Sequence, residues 1–476
     1  MDDGPEMQLT YKIGRINMIS GIKIFLVKMN FNITTPRINL TKRYIAFLTL
    51  ILTVMKVDGQ QADTTKEDKF SIHVQTTVIT QYKPSFKAKY TGQNSLIPEA
   101  ETQRSSTSTL YLGAKLWQGA SIFINPEVAA GSGLSGSLGV GASSNGETYR
   151  IDNAAPSFEL ARLFLRQIIP VNKETEYQES DLNVLGGNVP TSYFSFIIGK
   201  VCLSDYFDLN KYNHDPRTQF MSWALMNNGA WDFPANTRGY TPSIILEYVT
   251  PENELRYGFS LVPTIANGMK MNWDISKAGS HTLEYTHNYT FAGEKGTLRL
   301  VSFFTMANMG NYNQSIALNP TAPDILATEK YGHNKYGFGI NGEQAINKDM
   351  GVFFRASWDD GNNETWAYTE MDRTVSFGIS SNGSRWNRQN DNLGLGYVVS
   401  GLSAPHRNYL RAGGKGFELG DGNLNYSLEQ LTELYYSFQM IKNLYVSAAY
   451  QFILNPGYNK DRGPVNVFSL RVHIAF

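Results

Sequence analysis

The sequence predicts an all-β chain folded as a transmembrane antiparallel β-barrel, with one inward-folded loop that contains a short helix. Three observations carry this expectation. Extended segments with one apolar and one polar face recur down to the last residue. An apolar run behind basic residues stands near the start. Aromatic residues gather at strand ends while charges keep to the polar face. A soluble sandwich also alternates, so the period alone does not decide between the two.

Residues 1–59 read as an N-terminal extension and signal peptide. Arg37, Lys42 and Arg43 precede the apolar run Tyr44–Met55, which has the length of a signal core and is short for a membrane span. Cleavage is expected near Gly59, and Met29 is the expected true start because a second basic and apolar patch, Gly21–Lys28, serves no export purpose. An uncleaved anchor helix is the other reading of this segment. Residues 60–476 then form one barrel domain, placed in the outer membrane of a Gram-negative-type bacterium.

Composition narrows the function. The chain carries 42 basic and 42 acidic side chains, so it has no bulk field to attract nucleic acid, and none is expected as a partner. Glycine at 42 residues and aromatics at 13% suit tight turns and interfacial rings. A mean hydropathy of −0.30 is too polar for a bundle of membrane helices. The single cysteine, Cys202, has no internal disulfide partner and is expected to be structural.

The strands follow in order. Leu110, Leu112, Ala114 and Leu116 share a face, continued by Ile122 and Ile124. Ile244, Leu246 and Tyr248 oppose Ile245, Glu247 and Val249, and Tyr257, Phe259 and Leu261 oppose Arg256, Gly258 and Ser260. Val352, Phe354, Ala356 and Trp358 oppose Phe353, Arg355 and Ser357; Val375, Phe377 and Ile379 oppose Thr374, Ser376 and Gly378. Leu393, Leu395, Tyr397 and Val399 oppose Gly394, Gly396 and Ser400. Leu434–Met440 and Leu444–Phe452 continue the pattern. The closing strand places Phe468, Leu470, Val472, Ile474 and Phe476 opposite Ser469, Arg471 and His473. At about ten residues per strand plus loops, the exported chain supports roughly sixteen to eighteen strands, a size that leaves an aqueous bore.

Residues 202–240 break the rhythm. The segment is too long for a hairpin turn, and Tyr206, Phe207, Phe220, Trp223, Trp231 and Phe233 make it too aromatic for disorder. An ordered loop with its own apolar residues must pack on something, and in a wide barrel the available surface is the inner wall. It is therefore expected to fold inward and narrow the pore, with a helix capped by Asp215 and opened by Pro216.

Several stretches carry a family resemblance: HVQTTVITQYKPSFKAKYTGQNSL, INPEVAAGSGLSG, ARLFLRQ, the long GKVCLSDYFDLNKYNHDPRTQFMSWALMNNGAWDFPANTRGYT and the terminal YQFILNPGYNKDRGPVNVFSLRVHIAF. The chain resembles the carbohydrate-selective outer-membrane porins of the OprB family. The resemblance implies a barrel of sixteen strands, diffusion of sugars, and a constriction lined by arginines and acids. The chain departs from it in its extended N-terminus.

Candidate solute contacts also follow from the residues themselves. In Arg162-Leu163-Phe164-Leu165-Arg166 both arginines share a face, and hydrocarbon rejects an arginine by about 2–4 kcal/mol at the bilayer middle, so both are expected to face the pore. Arginine donates to sugar hydroxyls, carboxylates such as Asp205, Asp208 or Glu247 accept from them, and a ring such as Trp231 covers the apolar sugar face. Arg217, Asp232 and Arg238 complete the candidate set. The structural alternative is that such pairs merely fill the lumen, and that Asp232 and Arg238 pin the loop to the wall.

Other motifs point to no chemistry. Gly131-Ser-Gly133-Leu-Ser-Gly136 has no following helix to receive a dinucleotide, His281 and His287 lack metal-ligand spacing around Glu284, and no serine sits in a nucleophile elbow. No metal, cofactor or enzymatic activity is expected. The expected function is passive, binding-assisted uptake of mono- or small oligosaccharides. The alternatives are a general nonselective porin, or a barrel enzyme or adhesion scaffold acting through its outer loops. Expected partners are the carbohydrate, outer-membrane lipid, and the barrel assembly machinery through Phe476. The chain is either monomeric or trimeric.

Overall fold

The computed structural model describes residues 67–148, 154–367 and 369–476. The expected signal segment, its cleavage point near Gly59 and the alternative start at Met29 lie outside the described residues. In chain order the strands are β1 (Phe70–Lys83), β2 (Glu101–Trp117), β3 (Ala120–Gly131), β4 (Ser157–Pro170), β5 (Thr175–Gln178), β6 (Gly187–Pro190), β7 (Tyr193–Val201), β8 (Thr241–Val249) and β9 (Asn253–Ser260). They continue as β10 (Gly279–Phe291), β11 (Glu294–Met306), β12 (Asn334–Asn347), β13 (Met350–Asp359), β14 (Arg373–Gly383), β15 (Arg388–Gly401), β16 (Glu429–Ile441), β17 (Leu444–Leu454) and β18 (Val465–Ala475). All but β5 and β6 form one closed antiparallel barrel of sixteen strands, while β5 and β6 make a separate hairpin.

Closure is made by β1 and β18, in register from Gln75 opposite Ala475 to Tyr82 opposite Phe468. Phe476 completes the seam: its N–H donates to the Val74 carbonyl at 2.9 Å and its carbonyl accepts from the Val74 N–H at 3.0 Å. With no open edge, the backbone polar groups of the strands are satisfied within the sheet, which is what a hydrocarbon surround demands. The predicted faces hold. Leu163, Ile244, Leu246, Phe354, Leu395, Leu434, Phe468 and Leu470 are exposed on the outside, whereas Glu247, Arg256, Arg355, Glu433 and Arg471 are buried on the inside. A belt of this extent is a lipid-facing surface, since water would drive it to aggregate. Among the described residues no helix is long and apolar enough to cross a membrane.

Connections at one end are tight turns, such as 118–119, 292–293 and 442–443, while those at the other end are long. The long ones fill the bore. Residues 220–240 are buried throughout, as are 363–367. Phe220 packs edge-on between Phe353 and Tyr435 with ring centroids 5.4 and 4.9 Å away. The wall makes room with small residues: a Cβ on Gly394 or on Gly396 would stand 2.9 Å from the Phe220 ring.

The loop's short helix forms at Trp223–Met226 rather than at Asp215. Asp215 caps a single turn, accepting at its carbonyl from the Thr218 and Gln219 N–H groups and at Oδ1 from the Arg217 N–H. The turn stops there for a physical reason. Arg471 takes the Pro216, Thr218 and Gln219 carbonyls at 2.7, 2.9 and 2.6 Å, the acceptors that a continuing helix would have used.

One irregularity sets the site. In the pairing of β3 with β4, Asn125 faces Arg162 and Pro126 faces Leu160, leaving Ala161 as an extra, bulged residue. Strict alternation would send Glu159 to the side of Leu163 and into lipid. The bulge shifts the parity, so both Glu159 and Arg162 point inward.

Candidate functional site

A cavity of about 500 Å³ lies in the lumen beside β3, β4 and the inward loop. Five of the nine predicted residues line it: Arg162, Arg166, Asp205, Arg217 and Arg238. Arg162 makes a two-pronged pair with Asp205, Nε to Oδ2 at 2.6 Å and Nη2 to Oδ1 at 2.8 Å, and lies over the Tyr240 ring at 5.2 Å. This is the planar fork geometry that arginine alone provides. Asp205 keeps 32% of its side chain exposed and Arg166 keeps 23%, so these two present the most reachable charges of the set.

Arg217 is brought to the site by the turn that Asp215 caps. Its Nε lies 2.9 Å from Glu147, its Nη2 lies 3.7 Å from Glu127, and Nη1 donates to the Tyr111 hydroxyl at 3.4 Å. Burial pushes the Glu147 carboxyl up even beside this guanidinium. Burial also opposes the charge on Asp215, but the Arg217 guanidinium and N–H with the nearby His473 and His214 rings together outweigh it and hold that carboxyl below its usual range. Arg238 sits at the cavity edge with its side chain 3% exposed, tied to Ser157 and to Glu159 on β4.

The other four predicted residues stand away from the cavity. Glu247 is held between Arg256 at 2.8 Å and Arg166 at 3.5 Å, in a ladder that runs on from Arg256 to Glu284 at 3.6 Å. Asp208 is fully buried, accepting from the Asn228 N–H at 2.6 Å, from Asn341 at 2.6 Å and from Arg355 Nε at 3.1 Å. Asp232 accepts from the Trp366 and Ala367 N–H groups, both at 2.7 Å, and so staples the 202–240 loop to the 360–372 loop. Trp231 is 2% exposed, packed between Phe207 and Phe233. The rings that do line the cavity are Phe164, Tyr206, Trp223, Phe233 and Tyr240, with Tyr111.

Sequence reasoning missed Glu127, Glu147 and Tyr111. Glu127 was legible as an acid on the inward face of β3, two residues from Asn125; Glu147 was not, because its connection, 132–148, carries no aromatic run to mark it as inward-folded. That connection is held inside by Glu429, whose carboxylate accepts from the Gly141 and Ala142 N–H groups at 3.1 and 2.6 Å. Among the described residues no group of acidic, His or Cys side chains has the arrangement of a metal site.

The arrangement suits a neutral, hydroxyl-rich solute. Fixed donors, fixed acceptors and aromatic faces converge on one wet cavity, and no excess of one sign dominates it. A model of the carbohydrate-selective porins of the OprB family matches residues 93–476. The high-pH structure of Pseudomonas putida OprB shares 15% identity, with 86% of this chain and 94% of that one covered at a TM-score of 0.64. Its low-pH structure shares 12% identity over 92% and 97% of the two chains at a TM-score of 0.47. The outer-membrane channel DcaP of Acinetobacter baumannii shares 10% over 88% and 99% at 0.48. No curated protein sequence matches the chain. At such identities the first of these structures speaks to the barrel fold, and the family rests on the match across most of the sequence. The chain belongs to the OprB family of carbohydrate-selective porins.

Proposed function

We propose that the chain passes mono- or small oligosaccharides across the outer membrane into the periplasm by passive diffusion assisted by weak binding. The single observation that carries this reading is the cavity in which Arg162, Arg166 and Arg217 meet Asp205 and the Tyr240 and Trp223 rings. Its volume of about 500 Å³ falls in the range of small-molecule sites. A sugar hydroxyl donates to Asp205 and accepts from Arg166, while an aromatic face covers a ring of C–H groups. Arg162, Arg217 and Arg238 hold the frame, each already engaged by a carboxylate. Affinity must stay low for the solute to leave. Outer-membrane lipid covers the apolar belt, and Phe476 at the seam is the signal read by the barrel assembly machinery.

Liposome swelling tests this reading. Mono- and disaccharides are compared with amino acids and phosphates of equal size, and the sugars are expected to enter faster. Rates that follow size alone would make the channel a nonselective pore.

A further inference from the structure

The connection between β4 and β7 differs from the other connections at the short-turn end. Those are two to four residues long, whereas this one occupies 171–192 and carries the β5–β6 hairpin. The hairpin stands clear of the barrel, but its tip does not. Asp181 and Val184 exchange backbone hydrogen bonds at 3.3 and 2.9 Å, and the turn they close reaches back into the bore. There Asn125 Nδ2 donates to Asn183 Oδ1 at 2.8 Å, and Asn125 is the register partner of Arg162. Leu185 packs on the apolar cluster that includes Phe123 and Phe164. The base of the tip is pinned by Asp68, whose N–H donates to the Gly186 carbonyl at 2.8 Å and whose Oδ2 accepts from the Gly186 N–H at 3.1 Å. A Cβ at Gly186 would stand 2.6 Å from Oδ2, so a larger residue there would displace the Asp68 carboxylate from this contact.

Asp181, Leu182, Asn183 and Val184 therefore line the same cavity as Arg162 and Asp205. A connection that merely covered the rim would have no reason to reach a mid-barrel residue of β3. We infer that the tip Asp181–Val184 is the inner wall of the solute site: it narrows the exit toward the periplasm, and Asp181 adds an acceptor for solute hydroxyls. The solute contact rests on the sugar reading given above; the wall does not.

Two kinds of variant test it. In the first, 173–190 is replaced by Asn-Gly, a splice that Asn172 and Thr191 permit because their side chains already lie 2.8 Å apart. Single-channel KCl conductance is expected to rise, and sugar block to weaken. In the second, D181A is expected to raise the half-blocking sugar concentration about threefold, the loss of one ordinary hydrogen bond, and N125A to raise KCl conductance by freeing the tip. Wild-type conductance in both the spliced chain and N125A would overturn the wall, and wild-type block in D181A would overturn the solute contact. If the spliced chain gives no heat-modifiable barrel, N125A and D181A decide alone. A wild-type channel that no sugar blocks would overturn the sugar reading while the KCl measurement still judges the wall.

Discussion

Asp208→Ala separates the loop from the barrel that holds it. Asp208 and Arg355 form a fully buried pair at 3.1 Å, and Arg355 also donates to the Leu225, Asp208 and Asn213 carbonyls at 2.9, 3.1 and 2.9 Å. Truncating the carboxylate strands the guanidinium and removes the acceptor for the Asn228 N–H and for Asn341. Breaking a buried pair from one side costs about 3–5 kcal/mol. At about 1.4 kcal/mol per factor of ten, the ratio of docked to undocked loop falls by roughly two to three and a half powers of ten. The strands keep their own hydrogen bonds, so heat-modifiable mobility on SDS gels is expected to persist. Planar-bilayer recordings are expected to show higher, noisier conductance and weaker sugar block. Asp208→Ala with Arg355→Met removes the stranded charge and is expected to be quieter than the single variant. Asp274→Ala, which breaks an exposed pair with Lys277 at 2.9 Å and an exposed hydrogen bond from Ser276 Oγ at 2.6 Å, is the control. Wild-type conductance, noise and block in Asp208→Ala would refute the claim that this pair holds the loop in the bore.

Arg162→Ala and Arg166→Ala are expected to weaken sugar block with the barrel intact and to shift ion preference toward cations; unchanged block in both would move the solute site elsewhere. Deleting Ala161 restores strict alternation in β4 and turns a charge into lipid, at about 2–4 kcal/mol for an arginine near the bilayer middle, so barrel assembly in lipid vesicles is expected to fail or slow markedly. If the deleted chain assembles at the wild-type rate, the bulge does not set the parity. Burial pushes the Glu364 carboxyl up to about 8, and it accepts from the Gly310 N–H at 2.6 Å. A carboxyl raised on folding binds its proton more tightly in the packed state, so the contact between the 307–333 and 360–372 loops weakens as pH rises from about 4.5 through about 8. Loop proteolysis is expected to be faster at pH 9 than at pH 6, and Glu364→Gln to flatten that difference; equal rates in the wild type would remove the effect.

The outer wall of this protein was legible because the information is local. Whether Leu434 or Glu433 meets lipid is decided by a period of two residues, and the alternation survives almost unbroken to Phe476. Arg162 and Arg166 were placed in the bore by the same logic, helped by the high cost of arginine in hydrocarbon. The inward course of 202–240 was legible from length and aromatic content alone. Trp231 shows where that reasoning stops: the segment's aromaticity showed that rings would be buried, but not that Trp231 would be one of them while Trp223 reached the cavity. Asp208 and Glu247 likewise are acids facing inward, yet each is spent on an arginine that only the closed barrel brings near.

By itself, then, the sequence determined a barrel, its greasy and wet faces, a loop in the lumen and a family. Tertiary structure decided which charges meet a solute. Arg471 anchors the Pro216 carbonyl across 255 residues of chain, and the tip of the β5–β6 hairpin meets Asn125 only because the strands close into a ring. Alternation depends on each residue's own neighbours, whereas these contacts depend on the curvature, stagger and bulges that fix which points of the wall face one another across the bore.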